Sequence, residues 1–213
     1  MKRTQLLPTI ALLSLLALSL ISSPAAAQVI YDNGPLNGNT DAWTINFGYA
    51  VSDSFTVAAG GATINGLSFG FWEYGQTDLL TAEVAITSGE FGGTTFFDGM
   101  VNFTDSGCST NQQGYYVCTG GSSFHGPTLS GGTYWLTLEN ACCDDAGIFW
   151  DENSGPSSAS ENSVGTIPSE SFTLYGSATG AGTGAGSTPE PGSIILFGSG
   201  FLGLASVIRR KLF

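Results

Sequence analysis

The densest concentration of side chains able to bind or react lies late in the chain. It runs Glu139-Asn140-Ala141-Cys142-Cys143-Asp144-Asp145 and closes on Trp150-Asp151-Glu152-Asn153. Clustered Asp, Glu and Asn oxygens on loops are the ligands a hard divalent cation such as calcium takes. Asp144, Asp145, Asp151 and Glu152 are therefore the candidate metal ligands, and a solvated acidic loop is the simpler alternative. The spacing is not that of an EF-hand, which needs a D-x-D-x-D-G run followed by a distant Glu.

Sulfur offers a second chemistry. Cys108 and Cys118 flank a polar loop between two expected strands, and a bridge there would close a short hairpin; Cys142 and Cys143 are adjacent. Four cysteines allow three pairings. Two of them tie the hairpin to the adjacent pair, and one joins Cys108 to Cys118 with a strained vicinal bond between Cys142 and Cys143; the hairpin pairing is favoured. The C-x2-C spacing of zinc ribbons is missing, which argues against a zinc site.

Aromatic rings supply a third. On strand alternation Trp72 faces opposite Phe69 and Phe71, and Trp135 opposite Tyr134 and Leu136. Both are expected on outer sheet faces, where flat rings beside carboxylates and amides could stack on sugars. The alternative is that these rings pack in the core or under loops. Catalysis has less support. A Ser-His-Asp triad would have to use His125, which sits in Ser-Ser-Phe-His-Gly-Pro, a turn sequence without a nucleophile elbow. Acids are plentiful enough for a paired-carboxylate glycosidase, but the sequence singles out no pair. No enzyme is expected, and an extracellular glycan hydrolase is the remaining catalytic alternative.

Charge placement bounds the whole reading. The chain has five Lys and Arg, all terminal: Lys2, Arg3, Arg209, Arg210 and Lys211. All seventeen Asp and Glu lie between Asp32 and Glu190. The body between the ends has no Lys or Arg to pair a buried carboxylate. It has nothing to neutralise a phosphate backbone either, so nucleic-acid binding is excluded. Charge compensation must come from cations in the medium.

The elements that would position these residues are strands. Val51, Phe55 and Val57 share one face, together with Asp53. Ile64, Leu67, Phe69 and Phe71 form another apolar run. Ala82, Val84 and Ile86 point one way, with Thr81, Glu83 and Thr87 opposite. Further runs cover 94–103, 114–118, 133–139, 148–150 and 171–175. About nine short strands with Gly-rich turns predict an all-β domain, a single jelly-roll-like β-sandwich over residues 28–175. Residues 176–187 are Gly, Ala, Ser and Thr and read as a flexible tether spanning roughly 20 Å.

Both ends read as addresses. Met1-Lys2-Arg3, the apolar run from Leu6 to Ile21 and the small residues Ala25, Ala26 and Ala27 form a secretory signal over 1–27, with signal peptidase as the partner. At the other end, Pro189-Glu190-Pro191 precedes seventeen uncharged residues, Gly192 to Ile208, and then Arg209-Arg210-Lys211. As a helix that stretch would span roughly 25 Å, the short end of what crosses a bilayer. The basic triplet would hold the cytoplasmic side as a membrane stop.

Pro-Glu-Pro, a Gly-rich apolar span and a basic end, in that order over 188–213, resemble the PEP-CTERM protein-sorting signal of Gram-negative bacteria. The resemblance implies recognition and cleavage near Pro189-Glu190-Pro191 by an exosortase, an integral-membrane protease. It implies release or display at the cell surface, often in bacteria making extracellular polysaccharide. A C-terminal anchor that is never processed is the alternative. The expected protein is an exported surface or extracellular-matrix protein, with a carbohydrate-binding module as the alternative.

Overall fold

A computed structural model describes residues 27–75, 79, 81–142 and 147–179 of the 213. Among the described residues every element is a β-strand, and the strands form two antiparallel sheets. The first is built on β4 (Ala62–Glu73), the longest strand. One flank of β4 pairs with β15 (Phe172–Ala178) along its first part and with β11 (Ile148–Asn153) along its last. Its other flank pairs with β8 (Tyr116–Ser123) and the short β9 (Thr128–Leu129). Outside these lie β1 (Gln28–Asp32) on β15, β7 (Thr104–Thr110) on β8, and β2 (Ala42–Thr44) and β14 (Ser169–Glu170) on β11. The second sheet runs in the order β13 (Gly165–Ile167), β12 (Ala159–Glu161), β3 (Ala50–Val57), β10 (Gly132–Cys142), β5 (Thr81–Gly89) and β6 (Gly92–Asn102).

One apolar core joins the two sheets. Alternation on β3, β5 and β10 sends Val51, Phe55 and Val57, then Ala82, Val84 and Ile86, then Tyr134, Leu136 and Leu138 into it, as the sequence pattern predicts. On β4 strict alternation cannot place both Ile64 and Leu67 inside, because they are three residues apart. A bulge solves this. The pairing with β15 shifts register between Tyr175 and Gly176, which oppose Gly66 and Ile64, so the extra residue Asn65 re-phases the strand. Leu67, Phe69 and Phe71 then face the core along with Ile64. Phe69 packs edge-on against Phe103 and Trp150, at centroid distances of 5.2 and 6.0 Å. Phe103 is buried in the one-residue step between β6 and β7, where the chain passes from the second sheet to the first.

Three sequence expectations shift. The run expected over 94–103 is β6, which starts earlier, at Gly92, and stops at Asn102, one residue before β7 begins in the other sheet. The strand expected to end at Tyr175 continues through Ala178, with Gly176, Ser177 and Ala178 paired to Ile64, Thr63 and Ala62. Thr179 then caps the edge, donating its backbone N–H to the Gly61 carbonyl at 2.9 Å. The first residues assigned to the tether therefore belong to the domain. Finally, β1, β2, β7, β9 and the short strands β12 to β14 were not anticipated, because they are too short or too polar to show a period. Residues 1–26 of the 1–27 signal segment, the tether from 180 onward and the apolar tail lie outside the described residues.

Candidate functional site

Buried carboxylates gather at one end of the sandwich, where β3, β11 and β14 meet. Asp53 points inward from β3 beside Val51 and Phe55, and it is fully buried. Glu170, also fully buried, lies directly across the ladder from Glu152. Opposed residues share a face, and Glu152 stands two positions from the core residue Trp150, so this acidic pair also points between the sheets. The backbone N–H of Glu170 donates to Asp53 Oδ2 at 2.8 Å, which fixes the β14 segment against β3. Trp43, paired with Trp150, donates its indole N–H to Glu152 Oε2 at 3.1 Å.

Asn33 closes this end. Its Nδ2 lies among four oxygens: Ser157 Oγ at 2.6 Å, Glu170 O at 2.7 Å, Ser169 Oγ at 2.8 Å and Asp53 Oδ2 at 3.0 Å. An amide carries two N–H donors, so the serine hydroxyls must supply protons to the rest of the cluster. Burial pushes the Asp53 carboxyl up to about 6, against the pull of its hydrogen bonds. Burial raises Glu170 well above the usual carboxylate range, and the neighbouring charges of Asp53 and Glu152, then Asp151 and Asp41, add to it.

Asp151 does a different job on the opposite face of β11. It accepts the backbone N–H groups of Asn37 and Gly38, each at 2.7 Å, and the Trp72 indole N–H at 2.6 Å. The carboxylate thereby straps the 33–41 segment over the outer face of the first sheet. Its pKa is raised by burial, partly offset by those same hydrogen bonds.

The second sheet carries an open carboxylate group. Glu83 and Glu139 are directly opposed on β5 and β10, and Asp98 stands on the same outer face, opposite Ala85. Asn140 Nδ2 donates to Glu83 Oε2 at 2.7 Å. Asp98 and Glu139 are both raised, by burial first and then by Glu83. They line a shallow cleft of about 360 Å³ together with Phe91, Thr137 and Asn162. Trp135 is half-buried on this same face, two residues from Thr137 on β10.

The sequence candidates are distributed as follows. Trp72 is not a surface platform: only 5% of it is exposed, with Tyr115 packed against its ring at 5.7 Å and its indole N–H bound to Asp151, the same carboxylate that holds the 33–41 segment. Trp135 is placed on the outer face as expected. Asp151 is not a loop ligand, since its two oxygens are occupied by N–H donors. Glu152 is half-buried on a strand and bound to Trp43. Asp144, Asp145 and Cys143 lie outside the described residues, as do Ala25, Pro189, Glu190, Pro191, Arg209, Arg210 and Lys211. Ala27 is the first described residue. Cys108 and Cys118 form a disulfide across β7 and β8, which excludes both cross-links from the hairpin to the adjacent pair. Cys142 is exposed and carries no disulfide among the described residues. His125 is exposed on the loop between β8 and β9.

Sequence reading missed Glu170 and the Glu83–Glu139–Asp98 group. An acidic residue in a polar run such as Pro168-Ser169-Glu170-Ser171 gives no sign of burial. The signal that existed was Asp53, an acid on an apolar face in a chain without basic partners.

The architecture defines a two-sheet all-β domain, joined by its last strand to the sequence that follows. Residues 187–211 of that sequence match the family model of the PEP-CTERM protein-sorting motif. The motif indicates an exported protein sorted through a C-terminal signal, with a membrane-anchored precursor processed by an exosortase and the export machinery. No curated protein matches the chain.

Proposed function

We propose that this is a non-catalytic surface or extracellular-matrix protein, cut at its sorting signal and held in or released into extracellular polysaccharide. The observation that carries the reading is the motif match at 187–211. It stands behind a body whose Lys and Arg are all confined to the ends. Such a body has no affinity for phosphate backbones and carries net negative charge that keeps it soluble outside the cell. The test is replacement of Pro189, Glu190 and Pro191 by alanine in the native host. The expected result is a full-length form retained in the membrane fraction, whereas unchanged processing and release overturns the reading. Mass spectrometry of the mature wild-type protein would fix both cut sites.

Sugar binding is a second reading, supported by the outer face of the second sheet. Trp135 offers a ring there, and Asp98 and Glu139 offer acceptors for sugar hydroxyls along a shallow cleft. Titrating Trp135→Phe and wild-type protein with the host polysaccharide, followed by tryptophan fluorescence, separates the readings. A response confined to wild type supports binding at this face, and a flat titration in both favours the purely structural role.

A further inference from the structure

Three oxygens at the carboxylate-rich end of the sandwich have no hydrogen-bond partner although all are fully buried: Glu170 Oε1, Glu170 Oε2 and Asp53 Oδ1. They belong to adjacent groups, since Asp53 already holds the Glu170 backbone N–H through its other oxygen. A buried acceptor left unpaired is costly, and a buried, unpaired carboxylate far more so. The usual remedies are missing. The domain contains no Lys or Arg, and the two indole N–H groups nearby are taken, Trp43 by Glu152 and Trp150 by the Ser171 carbonyl. Nor do the two carboxyl groups satisfy each other, because no hydrogen bond joins their free oxygens.

A positive ion is what such a place lacks. We propose that this end of the sandwich binds one calcium ion, with the Glu170 carboxylate and Asp53 Oδ1, the unpartnered buried oxygens, as its charged ligands. Glu152 adds negative charge across the ladder. The donors are all oxygen, which selects a hard cation over zinc or copper. Among the described residues no three His, Cys, Asp or Glu side chains form a ready-made metal site. Two carboxylates therefore carry the charge, and neutral oxygens complete the six to eight that calcium takes. The Ser157 hydroxyl, which shares Asn33 Nδ2 with Asp53, is the neutral oxygen nearest at hand. Few charged ligands and a tolerant coordination number suit calcium better than magnesium, at the weak affinity of extracellular modules. None of these ligands belongs to the acidic run around Asp144 and Asp145. The site is also independent of how the protein is sorted.

The consequence is an ion that staples β14 to β3 and so closes one end of the sandwich. The test is thermal unfolding of the protein purified as exported, in about 2 mM calcium and in chelator. The expected shift is about 5 °C upward with calcium, and magnesium should give less. Glu170→Gln should abolish the shift and melt no lower than wild type in chelator, because it removes an uncompensated buried charge. A merely structural glutamate would instead melt lower in both. Glu83→Gln, on the outer face, should keep the shift, which controls for diffuse binding to an acidic surface. Coincident wild-type curves with calcium and chelator overturn the proposal, as does a shift that survives Glu170→Gln. Should that variant fail to fold, isothermal titration of wild type decides. One ion per chain with a change in Trp43 fluorescence supports the site, and only many weak sites, or no heat, overturns it.

Discussion

Asp151 shows how one carboxylate can order a stretch of chain with no regular structure. Its oxygens collect the N–H groups of Asn37, Gly38 and Trp72. The middle of the strap over the first sheet is anchored on this residue, while Asn111, Gln113 and Asn153 hold carbonyls on either side of it. Asp151→Ala would leave three donors without an acceptor beneath that strap. A buried unsatisfied group costs about 1–3 kcal/mol, so the variant should lose roughly 4 kcal/mol, read by urea denaturation. Trp72 fluorescence should shift to the red as the ring gains water. If Asp151 were instead a metal ligand on a loop, the loss would appear only when calcium is present. The contrast between Asp151 and Asp53 is instructive, for both are buried. The first has N–H donors on both oxygens, whereas the second has them on one and is left with the other free.

At the level of elements, β4 organises the first sheet because two strands share its flank. Where β15 hands over to β11, the Gly70 N–H donates to the Ser171 carbonyl at 3.1 Å, and the Ser171 N–H donates to the Asp151 carbonyl at 2.8 Å. The Trp150 indole donates to the same Ser171 carbonyl at 2.9 Å. No room remains above Gly70. A Cβ there would collide with Leu36 Cδ1 and Ser171 Oγ, with Asp151 Cβ 3.2 Å away. Gly70→Ala must push the strap or the handover aside, and overpacking of this kind costs about 1–3 kcal/mol. The expected outcome is a lower urea midpoint with an unchanged m-value, together with faster amide exchange over 33–41. Strand geometry alone does not demand the glycine; the junction does.

Over the whole molecule, the absence of basic side chains from the domain sets its response to pH. The carboxyl groups of Asp53, Asp98, Glu139, Asp151 and Glu170 are all shifted upward, each with burial as the leading cause. A carboxyl raised in the folded state binds its proton more tightly there than in the unfolded chain. Its contribution is therefore fully present below the unfolded pKa and is lost as pH rises through the folded value. For Asp53 that window runs from 3.8 to about 6, a difference of roughly 3 kcal/mol. Glu170 extends the trend to higher pH. In chelator, unfolding free energy should be greater at pH 4.5 than at pH 7.5, the reverse of a protein built on salt bridges. Calcium should restore much of the loss at neutral pH, since it supplies the charge that protonation otherwise removes.

The amino-acid sequence by itself determined the strand texture, the inward faces of β3, β5 and β10, and the sorting motif, because each is written in local order. Periodicity, hydropathy and a short linear signal need no partner to be read. Even the lone acid on an apolar strand face, Asp53, was visible there. Only the tertiary structure decided what Trp72, Asp151 and Glu170 do. Alternation says which side of a strand a residue occupies, but not what the rest of the chain lays over that side. Tyr115 and the Asp151 carboxylate turned an outer-face tryptophan into a buried one, and the packing of β14 on β3 buried a glutamate from a polar run. Burial of a charge depends on residues more than a hundred positions apart, as between Asp53 and Glu170, and no local pattern encodes that meeting.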